Sequence, residues 1–133
     1  MSVATATLLP SPARRRHAED DLQEQVAEFL AAALPLGAVQ HHSPGEGLRS
    51  KRARGKLVRS GFCKGWPDIE IIWRGRVYFI ELKAARGVVS KAQRETHRRL
   101  TYAEAPVMLC RSLAEVEWQL RECCIPLRAT VAA

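Results

Sequence analysis

The stretch that decides the fold is GWPDIEIIWRGRVYFIELKA, residues 65–84. It holds two runs rich in β-branched and aromatic residues, 69–73 and 76–84, with Arg74-Gly75 between them. Runs of this composition favour β-strands, and two residues ending in glycine between two such runs are typical of a tight hairpin turn. The sequence therefore predicts an antiparallel hairpin whose turn lies at residues 74 and 75.

The position of this turn fixes which residues of the hairpin face each other. In a hairpin with a two-residue turn, the numbers of two opposed residues add up to the same value as the two turn positions. Asp68 is therefore predicted directly across from Glu81. Directly opposed side chains lie on the same face of a sheet, and Lys83, two residues after Glu81, joins them there. Three charged groups are therefore expected to converge on an otherwise apolar hairpin.

Two interpretations of this cluster follow from the residues alone. A half-buried pair of carboxylates is costly unless something neutralises it. A divalent cation would do so, and oxygen ligands favour Mg²⁺ or Mn²⁺, with Lys83 orienting a water and stabilising charge on a phosphoryl group. In the other interpretation Lys83 only bridges Asp68 and Glu81 in a structural ion network, and the pattern leaves both open.

The remaining secondary structure surrounds this hairpin. Helical spacing of apolar residues and capping-box signals at Ser90 and Ser112 predict three helices. Short apolar runs predict two further strands, and the helix before the last strand favours a parallel crossover. The predicted helices are 18–33, 90–103 and 112–123, and the predicted flanking strands are 38–42 and 106–110. The expected fold class is α/β, a small mixed four-stranded sheet flanked by helices in the order α-β-β-β-α-β-α.

Length and composition are consistent with one domain. The chain has 133 residues, 47% of them hydrophobic, and we place the domain at 17–124, between a flexible N-terminal tail (1–16) and a C-terminal tail (125–133). No run of 18 or more apolar residues occurs, so no membrane span is predicted. The four cysteines show neither disulfide nor zinc spacing, which indicates a reducing compartment and hence the cytoplasm. They are Cys63, Cys110, Cys123 and Cys124.

The charge distribution favours a polyanionic partner. The formal net charge is +7, and residues 49–99 alone carry fifteen Lys and Arg against four Asp and Glu. Nucleic acid is the partner this favours, with a solvated charged face or a contact with acidic lipid as alternatives. Residues 47–61 are predicted to form a loop with helical pieces, because Gly55 interrupts the run. The predicted phosphate-contacting residues are Arg49, Lys51, Arg52, Arg54, Lys56, Arg59, Lys64, Lys91, Arg94 and Arg98.

Three other side chains have alternative interpretations. At 100° per residue, Glu19 falls in the middle of the apolar stripe of the first helix, so it points at the core or at a site, or else complements the helix dipole. His97 is expected to be exposed, with contact to the DNA backbone as the other interpretation. Trp66 is expected to pack over the hairpin, or else to stack on a base.

These residues also carry a resemblance to a known family. The segments Lys64–Asp68, Phe79–Lys83 and Ser90–Gln93, following a helix with Glu19 and Gln23, resemble in order and spacing the VRR-NUC (virus-type replication-repair nuclease) branch of the PD-(D/E)xK nuclease superfamily. The resemblance covers roughly residues 17–120. It implies a restriction-endonuclease-like core and a stand-alone catalytic domain of the kind found in phages and bacteria.

The resemblance also implies roles for individual residues. Asp68 and Glu81 would bind Mg²⁺ or Mn²⁺, together with the Leu82 carbonyl and with Glu19 directly or through water. Lys83 would be the catalytic lysine. Gln93 would position the active site, although a role only as capping-box partner of Ser90 is equally consistent with its place.

The function implied is that of a divalent-metal-dependent DNA endonuclease. Relatives of this kind are similar to structure-specific enzymes that act on branched DNA, such as four-way junctions or flaps, often as homodimers. No small-molecule cofactor and no membrane partner are expected. The alternative is a non-catalytic DNA-binding module on the same fold, which would use the basic residues but not the carboxylates.

Overall fold

A computed structural model describes residues 12–43 and 51–132, leaving out the side chains of residues 12–16, 51 and 54. Its elements, in chain order, are α1 (Pro12–Ala33), β1 (Val39–His42), α2 (Lys51–Arg59), β2 (Ile69–Trp73), β3 (Arg76–Leu82), α3 (Lys91–Tyr102), β4 (Val107–Cys110) and α4 (Leu113–Glu122). None of these helices is long and apolar enough to cross a membrane.

The strands form one mixed sheet in the spatial order β1-β2-β3-β4. The pairs β1–β2 and β2–β3 are antiparallel, and β4 runs parallel to β3 after a crossover through α3. In the hairpin, Ile69 pairs with Ile80 and Trp73 with Arg76, which is the predicted register. Arg74 and Gly75 both have positive φ, at 49° and 74°, as a type I′ turn requires. The predicted α/β fold class is confirmed.

Helices cover both faces of this sheet. On one face, α1 and α4 enclose the apolar core, which includes Val26, Leu30, Ile69, Ile71, Ile80, Leu82, Met108, Val116 and Leu120. Side chains alternate between faces along a strand, so Phe79 and Glu81 of β3 point to the other face, where α3 lies. The candidate site is therefore placed between the sheet and α3, away from the main core.

The structure departs from the prediction in the basic segment and at the ends of some elements. Residues 51–59 form a continuous helix, α2, where a loop with helical pieces was expected. The cost of one glycine in a helix is about 1 kcal/mol, and the Lys, Arg, Ala and Leu residues around Gly55 are good helix formers. In addition, α1 begins at Pro12, six residues before the predicted start at residue 18, and β3 ends at Leu82, two residues before the predicted end at residue 84.

Residues after Cys124, which the sequence analysis assigns to a tail, pack against the domain. Ile125 is only 2% exposed, and Leu127, Ala129 and Val131 lie against the core. Arg128 donates from its backbone N to the Ala33 carbonyl at 2.7 Å and from its Nε to the Leu34 carbonyl at 2.6 Å. The segment thereby binds carbonyl groups at the C-terminal end of α1, which a helix leaves without partners.

Candidate active site

Asp68 lies where β2 begins, across the hairpin from the end of β3. If the register of the hairpin is extended by two residues, Pro67 lies across from Leu82, and because a proline has no N–H it cannot donate to the Leu82 carbonyl. The Leu82 N–H donates to the side chain of Asp68, at Oδ2, over 2.7 Å. Since a strand residue directs its N–H and C=O to the same side, the Leu82 carbonyl also faces the Asp68 side of the strand.

Glu81 is the buried carboxylate of the pair, with 1% of its surface exposed. Its Oε1 accepts a hydrogen bond from Gln93 Nε2 at 2.6 Å and lies 3.8 Å from Lys83 Nζ. Its Oε2 lies 3.5 Å from His97 Nε2, yet neither of these two buried atoms has a hydrogen-bond partner. A buried carboxylate oxygen without a partner is uncommon in proteins and indicates a place for a further positive or donating group.

The electrostatics of the pair point the same way. Burial, together with the neighbouring Asp68 carboxylate, raises the pKa of Glu81 to about 8, although Lys83 opposes the change. Burial also raises the pKa of Asp68, and the Leu82 N–H and Lys83 partly offset that effect. Without a cation, the pair is therefore expected to retain a proton near neutral pH, because two buried carboxylates repel each other when both are charged.

Glu19 reaches this site from α1. Its Oε1 accepts a hydrogen bond from the Ala84 N–H at 3.2 Å, directly after Lys83. Its charge contributes to the raised pKa of both Asp68 and Glu81, so the three carboxyl groups interact. The apolar periodicity of the helix predicts this inward placement; nothing in the sequence pattern specifies the contact with Ala84.

Two residues of the sequence pattern, Gln93 and Gly65, hold α3 against the site. The Gln93 side chain accepts from the Ser90 N–H at 2.9 Å through Oε1 and donates to Glu81 through Nε2, so both predicted roles are compatible in one residue. Gly65 has a φ of 77°, and a Cβ there would lie 2.4 Å from the Ala92 carbonyl oxygen. Only glycine allows this close approach, which the hydrogen bond from Thr96 Oγ1 to the Lys64 carbonyl reinforces.

Two histidines that sequence reasoning did not place belong to the surroundings of the site. The expectation that His97 is exposed is wrong: its side chain is 16% exposed and faces Glu81. Burial, with the charge of Lys83, lowers its pKa. The available signal was its position four residues after Gln93, on the same helix face. His42 Nδ1 lies 2.8 Å from Gln23 Nε2 and 3.0 Å from the Asp68 carbonyl oxygen.

The predicted DNA-contacting residues lie mainly on α2 and α3. Arg52, Lys56, Arg59, Lys64, Lys91, Arg94 and Arg98 are exposed, while Arg49 and the side chains of Lys51 and Arg54 lie outside the described residues. Trp66 packs edge-on against Phe79, with ring centroids 5.2 Å apart, as one of the two interpretations predicts. Contact of the basic residues with DNA stays a prediction.

The donor set fits an oxygen-preferring divalent ion, although it is not preassembled. Within residues 12–43 and 51–132, no group of three or more His, Cys, Asp or Glu side chains is already arranged to hold a metal ion. Asp68, Glu81 and Glu19 each engage one oxygen with a protein N–H, and the second oxygen of Glu81 has no partner. Carboxylate and carbonyl oxygens are the ligands that Mg²⁺ and Mn²⁺ prefer.

Solved structures give the fold an external comparison. The sequence matches no family model and no curated protein. It is similar in structure to a "VRR_NUC domain protein" with a TM-score of 0.64 and 24% identity, covering 79% of this chain and 86% of that one. A second structure, "VRR_NUC domain", has a TM-score of 0.54 and 26% identity, covering 79% and 95%. The chain therefore folds as a VRR-NUC domain, as its sequence motifs predict.

Proposed function

We propose that this VRR-NUC domain is a divalent-metal-dependent DNA endonuclease that hydrolyses phosphodiester bonds. The nuclease-type fold alone leaves metal dependence and substrate open. The observation that carries the proposal is the convergence of Asp68, Glu81 and Lys83, in which the buried Glu81 Oε2 lacks a partner. A structural ion network would be expected to satisfy that oxygen, whereas a site shaped for a cation leaves it free in the absence of the ion.

In this proposal Asp68 and Glu81 hold Mg²⁺ or Mn²⁺ with the Leu82 carbonyl, and Glu19 contributes directly or through water. The bound ion would supply Lewis acidity and lower the pKa of a water molecule. Gln93 keeps the Glu81 carboxylate oriented through the 2.6 Å hydrogen bond to its Oε1. The Glu81 carboxylate thus has one oxygen that Gln93 orients and one without a partner that is open to the ion.

Lys83 is proposed as the catalytic lysine. Its side chain is 12% exposed and its Nζ lies 3.8 Å from Glu81 Oε1, on the same face of the sheet as both carboxylates. An ammonium group held there can orient the attacking water and stabilise negative charge on the phosphoryl oxygens as the bond breaks. The nearby Glu81 carboxylate and the low exposure keep the ammonium group in place, whereas the side chain of a surface lysine would sample many rotamers.

The basic residues on α2 and α3 support DNA as the substrate. Cationic side chains that contact phosphates bind the backbone without reading bases, so we expect selection by DNA shape, such as four-way junctions or flaps. We further propose that the domain works as a homodimer in the cytoplasm. Light scattering of the purified protein tests the dimer, and Trp118, which is 59% exposed on α4, is the first residue to substitute for that purpose.

The second candidate function is a non-catalytic DNA-binding module. The exposed basic residues favour it as much as they favour the enzyme, because both need phosphate contacts. The two differ at the carboxylates: a binding module gains nothing from burying Asp68 and Glu81 side by side, which raises the pKa of both, whereas a metal site needs their oxygens as ligands.

Cleavage of labelled four-way junction, flap and linear duplex DNA with Mg²⁺ or Mn²⁺ tests the proposal. The wild type should cut, whereas Lys83→Ala, Asp68→Asn and addition of a chelator should each abolish cutting. Asp21→Asn, an exposed carboxylate on α1, is the matched control and should cut like the wild type. Tight binding without cutting under either metal would favour the binding module.

A further inference from the structure

Arg111, directly after β4, binds a backbone turn beside the candidate site. Its Nη1 donates to the carbonyls of Gly87 at 2.7 Å and Ala84 at 2.8 Å, and a third carbonyl, that of Ala85, lies at 3.5 Å. Within the described residues the guanidinium forms no salt bridge. The neighbouring Glu115 accepts a hydrogen bond from the Arg111 backbone N–H and not from its side chain. Its side-chain hydrogen bonds are therefore all made to one turn.

This turn, residues 84–87, is the segment that binds Glu19. Ala84 donates its N–H to Glu19 Oε1, and its carbonyl accepts both from the Gly87 N–H at 2.9 Å and from Arg111. Gly87 is buried, and a Cβ at that position would lie 3.0 Å from Glu19 Oε1. The turn thus fits closely around the Glu19 carboxylate on two sides, and its shape depends on what holds its carbonyls together.

We propose that Arg111 is a positioning residue for the candidate metal centre: its guanidinium fixes the turn 84–87 in the shape that presents the Ala84 N–H to Glu19. Glu19 is thereby held facing Asp68 and Glu81. This inference rests on the proposed function, because it concerns how Glu19 contributes to cation binding.

The effect of Arg111 is transmitted by geometry and not by its charge. Among the described residues, the Arg111 side chain bonds only backbone carbonyls of the turn, and the group of the turn that contacts Glu19 is the Ala84 N–H. A planar guanidinium presents several N–H groups in fixed directions, so one nitrogen serves two carbonyls at once. Lysine carries the same charge on a flexible stem and is not expected to reproduce that arrangement.

The first test is Mn²⁺ affinity in a double-mutant cycle. Arg111→Gln should weaken Mn²⁺ binding about tenfold by calorimetry, the usual cost of removing an outer partner of a metal ligand. In a Glu19→Gln background, Arg111→Gln should weaken it no further, because Arg111 acts through Glu19. Arg128→Gln is the matched control: Arg128 also donates to a backbone carbonyl, that of Leu34, and should leave Mn²⁺ affinity unchanged.

The second test needs no metal. Hydrogen exchange of the metal-free protein should be about tenfold faster at the Ala84 amide in Arg111→Gln, and unchanged there in Arg128→Gln. Arg111→Lys, which retains the charge, should behave like Arg111→Gln in both measurements, and it serves as the working variant if Arg111→Gln fails to fold.

Two outcomes would overturn the inference. One is an equal loss of Mn²⁺ affinity from Arg111→Gln with and without Glu19→Gln, which would show independent action. The other is unchanged exchange at Ala84. If the wild type itself binds no Mn²⁺, the proposed function fails, and the exchange result alone decides whether Arg111 positions the turn.

Discussion

Neutralising Glu81 should stabilise the metal-free protein at neutral pH, although the same change removes a proposed metal ligand. Burial and Asp68 raise the pKa of Glu81 from 4.5 to about 8 in the folded protein, so the folded state binds this proton more tightly than the unfolded chain. The free energy of unfolding of the wild type should therefore fall as pH rises from 4.5 towards 8, because stability declines wherever the folded state holds more protons.

The magnitude follows from the size of the shift. A change from 4.5 to about 8, at about 1.4 kcal/mol per unit, corresponds to a loss of about 5 kcal/mol once the pH exceeds both values. At pH 7 roughly 3 kcal/mol of that loss is already present. Glu81→Gln abolishes the titration and keeps a carbonyl to accept from Gln93 Nε2, so it should be about 3 kcal/mol more stable than the wild type at pH 7.

Urea unfolding of chelator-treated protein between pH 5 and 8.5 measures this directly. The wild type and Glu28→Gln, an exposed carboxylate on α1, should lose stability together as pH rises, while Glu81→Gln should lose much less. Adding Mn²⁺ at pH 8 should restore stability to the wild type and not to Glu81→Gln. A wild type whose stability is constant or rises over this range, or a Glu81→Gln profile parallel to it, would refute the reasoning.

Three further predictions concern the support of the site and the binding of DNA. Gly65→Ala should lower the free energy of unfolding by more than about 2 kcal/mol, because its Cβ would meet the Ala92 carbonyl. Gly37→Ala is the control: Gly37 also has a positive φ, but a Cβ there would meet no other atom, so this variant measures backbone strain alone. It should lower the free energy of unfolding by less in the same denaturation assay. Gln93→Ala should lower the free energy of unfolding by about 1–2 kcal/mol and also reduce DNA cutting. Ser90→Ala, which removes only the helix cap, should lower it by about 1 kcal/mol and cut normally. Equal cutting by both variants would show that Gln93 is not part of the site. DNA affinity should fall steeply with rising salt in a filter-binding series, and an affinity that does not respond to salt would argue against phosphate contacts.

The sequence predicts the hairpin well because a single local feature determines it. The Arg74-Gly75 turn sets the register, and the register places Asp68 opposite Glu81 without any knowledge of the rest of the fold. Glu19 is likewise predictable from helical periodicity, since the apolar stripe shows which side of α1 faces inward. Both inferences use spacing within one element or one turn.

The features that sequence reasoning missed depend on contacts between distant segments. His97 is polar and has arginine neighbours, and only the packing of α3 on the sheet shows that it faces Glu81. Arg111 looks like a surface residue after a strand, and its bonds to the turn 84–87 join segments more than twenty residues apart. The packing of the segment after Cys124 on α1 spans about ninety residues, which no local pattern records.

The most direct test of the central claim is a calorimetric titration of the purified domain with Mn²⁺. The account predicts saturable binding by the wild type, loss of binding in Asp68→Asn, and wild-type binding in Glu70→Gln, a carboxylate on the same strand face but outside the pair. No binding by the wild type, or equal binding by Asp68→Asn, would contradict the assignment of Asp68 and Glu81 as a metal centre.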